Sequence, residues 1–290
     1  MREIIFSTET GSDVPQAMAD QFHIRIIPMH IIMDGVDYLD GPAFPVEEAY
    51  AYYERTKKAP TTSCVNVDEY IDFFKKIREE QPDSVIMHFA YSSAASATCQ
   101  NAQAASEKFQ DVYVIDTKNV TAGCTVYIRT ACDLVHKKTG LTIDYPALAE
   151  EIRGIAPRIS CAFIPGNLEF LRAGGRVSNA AYLGATILQL KPLIEIDPDG
   201  ALVASKRYQG SMEKVAGRFV REFVANHELD RKTLHLIYTL GISDTALGIV
   251  DKAARELGFK ECVHTQICGA LTCHSGPGSI GLAGIAGEPD

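Results

Sequence analysis

Short apolar, β-branched runs alternate with helix-patterned segments through the first half of the chain, and this alternation restricts the fold more than any other feature. Residues 2–7 (REIIFS), 24–33 (IRIIPMHIIM), 83–90 (DSVIMHFA) and 112–116 (VYVID) read as strands. Asp13 with Pro15 opens a helix running to about Phe22, and further helices are expected at about 45–57, 67–80 and 96–108. The 67–80 segment sets Tyr70, Phe73, Phe74 and Ile77 at helical spacing against a charged face. Asp34-Gly35 turns the chain, and two more helices carry it to about 156. Apolar strands separated by helices imply a largely parallel sheet covered on both faces.

After Pro157 the texture changes. SCAFI (160–164) reads as a strand, followed by a short helix, AGGRVS, and an almost wholly apolar helix at 180–190. LKPLIEI and ALVASKRY flank DPDG, the pattern of a β-hairpin. A long helix (211–227), a strand (234–240), a helix (244–257) and a last strand (260–268) follow, leaving 271–284 as a Gly/Pro-rich bend. The expectation is an α/β chain of two domains: residues 1–157 around the parallel sheet, and 158–290 as an α+β unit.

Composition excludes several function classes. With 46% hydrophobic and 22% charged residues the chain reads as globular, and its net charge of −9 argues against binding a phosphate backbone. No apolar run approaches the ~20 residues of a membrane span, and MREIIFSTETG lacks the apolar core of a signal peptide, so a cytoplasmic protein is expected. The eight cysteines include no CxxC pair. Cys262, Cys268 and Cys273 lie close together, but their spacing fits no common zinc pattern, and reduced, mostly buried thiols with no metal are expected.

Three polar clusters carry candidate chemistry. In LTCHSGPGSIGLAG (271–284), His274 stands beside a bend in which Gly276 and Gly278 can adopt φ > 0 and expose backbone N–H groups to an anion. PTTSCVN (60–66) offers Thr61, Thr62 and Ser63 ahead of a helix. FAYSSAASAT (89–98) offers Ser92, Ser93, Ser96 and Thr98 at a strand-to-helix junction, where ligands of open α/β sheets bind. N-capping explains one hydroxyl per helix, not runs of three or four. Ser93 or Ser96 with His274 as base would make an acyl hydrolase or acyltransferase, although no G-x-S-x-G elbow and no third member stand out. P-loop and G-x-G-x-x-G fingerprints are also missing.

Taken together, these motifs resemble the DegV-type proteins, bacterial fatty-acid-binding proteins also called FakB. TETGSDVP (8–15) is similar to that family's TDSTxDLP, and DYLDG (37–41) also fits. PTTS (60–63) is similar to PxTSQPS, SSAASAT (92–98) to SSxLSGT, and DTK (116–118) to DSK. LEFLRAGGRVS (168–178) is similar to LxxLxxGGRIS, LKPLI (190–194) to KPI, and HSGPG (274–278) to HTGPG. The resemblance implies a lipid tunnel, with a head-group site near the domain interface and one long-chain fatty acid as ligand rather than a cofactor. By the same resemblance Thr62, with Ser63, Ser96 (Ser93 the alternative), His274 and Gly276 bind the carboxylate. It further implies a partner, the catalytic subunit of a fatty acid kinase, which uses ATP to form an acyl phosphate, the carrier itself being no enzyme. Arg176 and Arg207, with Lys206, are candidates to face that partner or the new phosphate, and helix 180–190 is a candidate tunnel wall. Three departures stand out: Glu9 in place of Asp, Cys64-Val65-Asn66 in place of Gln-Pro-Ser, and Ala95-Ser96-Ala97 in place of Leu-Ser-Gly.

Overall fold

The computed structural model describes residues 2–177 and 190–287, so the expected helix at 180–190 lies outside the described residues, apart from Leu190. The first half forms a parallel sheet in the order β2-β1-β6-β7, from β1 (Ile4–Glu9), β2 (Arg25–Ile27), β6 (Val85–Ala90) and β7 (Val112–Asp116). Every residue of β6 is buried, the signature of a strand covered on both sides. Around it pack α1 (Gln16–Phe22), α3 (Val67–Glu80), α4 (Thr98–Ser106), α5 (Thr121–Lys137) and α6 (Tyr145–Arg153), whereas α2 (Val46–Thr56) lies against Phe170 and the helix at 269–275. In α3 the spaced aromatics point inward, and Asn66 and Glu69 close a reciprocal capping box at its start.

The stretch 24–33 is not one strand. Pro28, which has no N–H for a ladder, breaks it, and the second piece, β3 (His30–Met33), leaves for a small antiparallel sheet. There it pairs with β4 (Val36–Leu39) across the Asp34-Gly35 turn, both residues having positive φ, and with β5 (Thr61–Ser63). The hydroxyls expected in a loop ahead of α3 therefore sit on a strand.

The second half forms a six-stranded sheet, β10-β9-β8-β13-β11-β12. Its members are β8 (Ile159–Ile164), β9 (Leu190–Ile196), β10 (Leu202–Gln209), β11 (Thr233–Tyr238), β12 (Glu261–Gln266) and β13 (Ile280–Ile285), with helices α7 (Leu168–Gly174), α8 (Met212–Asn226), α9 (Asp244–Glu256) and α10 (Gly269–Ser275). The hairpin β9–β10 turns on Asp197, whose Oδ1 accepts from the N–H groups of Asp199 and Ala201, both at 2.9 Å.

The bend expected at 271–284 is in fact a helix and a central strand. β13 lies antiparallel between β8 and β11. Its small residues concealed it, and the packing explains them: a Cβ on Gly281 would lie 2.7 Å from Ile237 and 2.8 Å from Phe163. Residues of this sheet alternate between two cores. Ile237 and Ala283 face α5, whereas Leu236 and Leu282 face α8 and α9. The helix α5, buried along most of its length, touches β8, β11 and β13 and so joins the two larger sheets in one core. Among the described residues no helix is long and apolar enough to cross a membrane.

Candidate functional site

Two buried carboxylates set the start of α10. Asp13 Oδ1 accepts from the Cys268 N–H at 2.7 Å, and Asp40 Oδ1 accepts from the Gly269 N–H at 3.0 Å. Each satisfies an N–H that the helix itself leaves unpaired. Asp13 also accepts from the Thr121 hydroxyl at 2.5 Å, tying the segment after β1 to the start of α5. Burial pushes the Asp13 carboxyl up to about 7, against the pull of these donors. Asp13 was expected to open the helix to Phe22, but α1 starts after Pro15 with no side-chain cap, and the Asp13 carboxylate serves Cys268 and Thr121 instead. Asp40 belongs to DYLDG, a motif visible in the sequence to which no task could be attached.

At the other end of α10 stands His274. Its Nε2 lies 2.8 Å from Thr62 Oγ1 on β5, although 212 residues separate the two. The Nδ1 atom is buried and has no hydrogen-bond partner among the described residues. Burial, with a smaller contribution from the Arg176 charge, lowers the imidazole pKa to about 4, so the ring is neutral near pH 7. Protein interiors tolerate an unpaired acceptor better than an orphaned N–H, which puts the proton on Nε2. Nε2–H then donates to Thr62 Oγ1, and the Thr62 hydroxyl proton is free to turn toward a ligand.

The glycines around this histidine make room for it. A Cβ on Gly174 would lie 2.3 Å from His274 Nδ1, and Gly175 ends α7 with φ +64°. A Cβ on Gly166 would overlap the Pro277 carbonyl oxygen at 1.9 Å. The Gly-Pro-Gly amides, however, are not open to a ligand. Gly276 N–H donates to Thr272 O and Gly278 N–H to Leu240 O, each at 2.9 Å, so the expectation that Gly276 offers a backbone donor fails. The bend exists to end α10 and enter β13.

Thr62 and His274 line a cavity of about 170 Å³ that also takes in Ser63, Ser96 and Arg176. Its remaining walls are chiefly apolar, drawn from the six-stranded sheet, from α7 and α10, and from the segments that follow β2, β6 and β7: Met29, Leu171, Val177, Leu202, Ile237 and Leu271 among them. Ser96 reaches it from the β6–α4 junction, with Oγ 2.6 Å from Thr98 Oγ1. Ser63 is exposed at the rim.

Other expected residues face elsewhere. Ser93 is not among the lining residues: its hydroxyl donates to Asp116 at 2.6 Å, which also explains the aspartate of the DTK motif. Ser92, fully buried, donates to Gly200 O at 2.7 Å and clamps the tip of the β9–β10 hairpin. Arg207 is exposed on β10 and does not line the cavity, and Lys206 pairs with Glu222 of α8. Glu9 is buried and bonded to His88 Nε2 at 2.8 Å, to the Tyr70 hydroxyl and to the Tyr91 N–H, so its role is to hold β1, β6 and α3 together. Neither Ser93 nor Ser96 contacts His274, and among the described residues no carboxylate orients its Nδ1.

The arrangement is thus an apolar chamber with hydroxyls, one neutral imidazole and one guanidinium at its polar side. A family model described as an uncharacterised protein of the DegV family matches residues 4–286. The chain belongs to the DegV family. A DegV domain-containing protein of Deinococcus radiodurans is 26% identical over 97% of each chain. A structure titled as fatty acid binding of a DegV family protein from Thermus thermophilus superposes with a TM-score of 0.85 at 24% identity, covering 99% of this chain and 100% of that one. A DegV family protein from Eubacterium eligens, described as loaded with heptadecanoic acid, superposes with a TM-score of 0.82 at 16% identity, covering 98% of this chain and all of the other.

In this DegV chain Arg176 is the charged group that the cavity and His274 share. It is exposed, and its guanidinium donates to Gly174 O at 2.7 Å, which holds it over the α7 terminus. The neighbouring Val177 bridges to Leu202, fastening the same turn to β10.

Proposed function

We propose that this chain carries one long-chain fatty acid, with the acyl tail in the apolar cavity and the carboxylate at Thr62 and His274. One observation carries this reading: the Thr62–His274 pair stands at the polar side of a chamber otherwise lined chiefly by apolar side chains. An acyl chain of about 15 methylenes, at about 0.8 kcal/mol each, gains roughly 12 kcal/mol before ordering costs. A dry, unbonded carboxylate would forfeit several kcal/mol of that, which the Thr62, Ser63 and Ser96 hydroxyls offset by rotating to donate. Neutral His274 contributes by fixing Thr62 rather than by pairing charges. The fatty acids named for the neighbouring structures support the ligand class.

We further propose that the carrier presents the carboxylate, in the cytoplasm, to a separate ATP-dependent fatty acid kinase subunit, and that Arg176 meets the phosphate formed there. Solvent extraction of protein purified from bacteria, followed by mass spectrometry, is expected to release about one equivalent of fatty acid. Thr62→Ala and His274→Ala should lower that amount while leaving the fold intact; full occupancy in both would overturn the head-group assignment. Adding a kinase subunit and ATP should yield acyl phosphate that hydroxylamine traps as a hydroxamate. No hydroxamate from any kinase would refute presentation while leaving carriage standing. The alternative acyl hydrolase predicts labelling of Ser93 or Ser96 by a serine-directed probe, an outcome disfavoured by their bonds to Asp116 and Thr98.

A further inference from the structure

A second polar cluster lies away from the cavity, on the edge of the six-stranded sheet. We propose that Asp251, Cys262 and His264 form a binding site for a borderline-soft divalent cation such as Zn²⁺. None of the three lines the lipid cavity. Cys262 and His264 are two residues apart on β12, so their side chains leave the same face of the strand. The helix α9 packs against that strand and contributes Asp251, so one carboxylate oxygen, one thiol sulfur and one imidazole nitrogen lie within 4.8 Å of one another.

The donor set selects the ion. Zinc takes sulfur, nitrogen and carboxylate oxygen at roughly 2.0–2.3 Å, whereas magnesium and calcium require oxygen shells that this cluster does not supply. His264 Nε2 sits 2.7 Å from Asp251 Oδ1, and an ion inserted between them replaces that bond with two stronger ones. Binding forms the sulfur–metal and nitrogen–metal bonds: the S–H bond breaks and the thiol proton passes to solvent, and the proton that His264 Nε2 donates to Asp251 leaves that nitrogen, the neutral ring taking its proton on Nδ1. Burial first, and then Asp251, push the Cys262 thiol up to about 12 against a smaller pull from Arg255, so the thiolate forms only when the cation's own charge offsets both. His264 and Asp251 keep 33% and 26% of their side-chain surface, enough for an ion to enter from solvent and for water to take a fourth position. The Cys-x-His step with a distant aspartate follows no common zinc spacing, so the cluster exists only after β12 and α9 have packed.

The test uses the full chain, stripped with chelator under reducing conditions and titrated with Co²⁺ and then Zn²⁺. One equivalent of Co²⁺ should give the visible bands of a tetrahedral site together with an ultraviolet thiolate-to-cobalt charge-transfer band, both bleached by Zn²⁺. Cys262→Ser should remove the charge-transfer band, and His264→Ala should weaken Zn²⁺ binding at least about tenfold in competition with a chromophoric chelator. Cys273→Ser, in the buried core, should change neither. The absence of a charge-transfer band in the unaltered protein, or its survival in Cys262→Ser, overturns the proposal. So does Zn²⁺ affinity unchanged by His264→Ala. Fatty-acid retention should be the same in Cys262→Ser and His264→Ala as in the parent.

Discussion

Two hydroxyl runs look alike in the sequence and have different fates in the fold. At 92–98, Ser92 is bound to Gly200 O, Ser93 to Asp116, and Ser96 to Thr98. At 61–63, the Thr62 hydroxyl bonds, among the described residues, to an imidazole brought from the far end of the chain, and in the Nε2–H tautomer its proton remains available. The first run is mostly scaffold, pinning a hairpin tip and a helix start, and only Ser96 reaches the cavity. In the second, Thr62 and Ser63 both line it. A cluster of hydroxyls therefore indicates a junction with many polar groups to satisfy, and whether a ligand is among them depends on what stands opposite.

The strongest way to break this contrast is to attack the packing that delivers His274. Gly166→Ala drives a Cβ into the Pro277 carbonyl, and backbone cannot rotate away, so a loss of about 3 kcal/mol or more is expected in denaturant unfolding. No substitution at Ser92 or Ser93 should cost as much. The next test uses pH. His274 titrates near 4 in the folded protein and near 6.5 unfolded, so below pH 6.5 the unfolded chain binds a proton that the folded chain refuses. This contribution to stability is complete above pH 6.5 and is lost as the pH falls toward 4. The parent should therefore lose up to roughly 3 kcal/mol relative to His274→Ala across that interval. A difference independent of pH would show that the ring is not neutral and buried.

Smaller effects sharpen the comparison. Thr62→Ala should reduce fatty-acid retention roughly tenfold or more, the value of one hydrogen bond to a charged group, and should also cost about 1–2 kcal/mol of stability by orphaning the buried His274 N–H. Ser92→Ala should cost about 1–2 kcal/mol of stability by orphaning the Gly200 carbonyl, but with retained lipid unchanged. If Ser92→Ala released lipid while Thr62→Ala did not, the assignment of the two runs would have to be exchanged.

Much of the architecture was legible because periodicity reports burial directly. The parallel strands β1, β6 and β7, the helix α3 and the Asp197–Gly200 hairpin turn follow from local pattern and turn chemistry. The failures share a cause. Pro28 split a run that looked continuous, and β13 was hidden because its glycines are small to admit Ile237 and Phe163, a requirement set by partners distant in sequence. Gly276 and Gly278 were expected to lend their amides to a ligand, and only the fold revealed Thr272 O and Leu240 O as their acceptors.

The chain alone determined most of its elements, its family and most of the polar groups available, since these depend on hydrophobic period, turn chemistry and motif. Tertiary structure decided which of those groups meet: Thr62 with His274, Ser93 with Asp116, Asp13 and Asp40 with the start of α10. Hydrogen bonds between residues a hundred or more positions apart leave no local spacing to read, and burial, which makes His274 neutral, is a property of everything packed around it rather than of its neighbours in the chain.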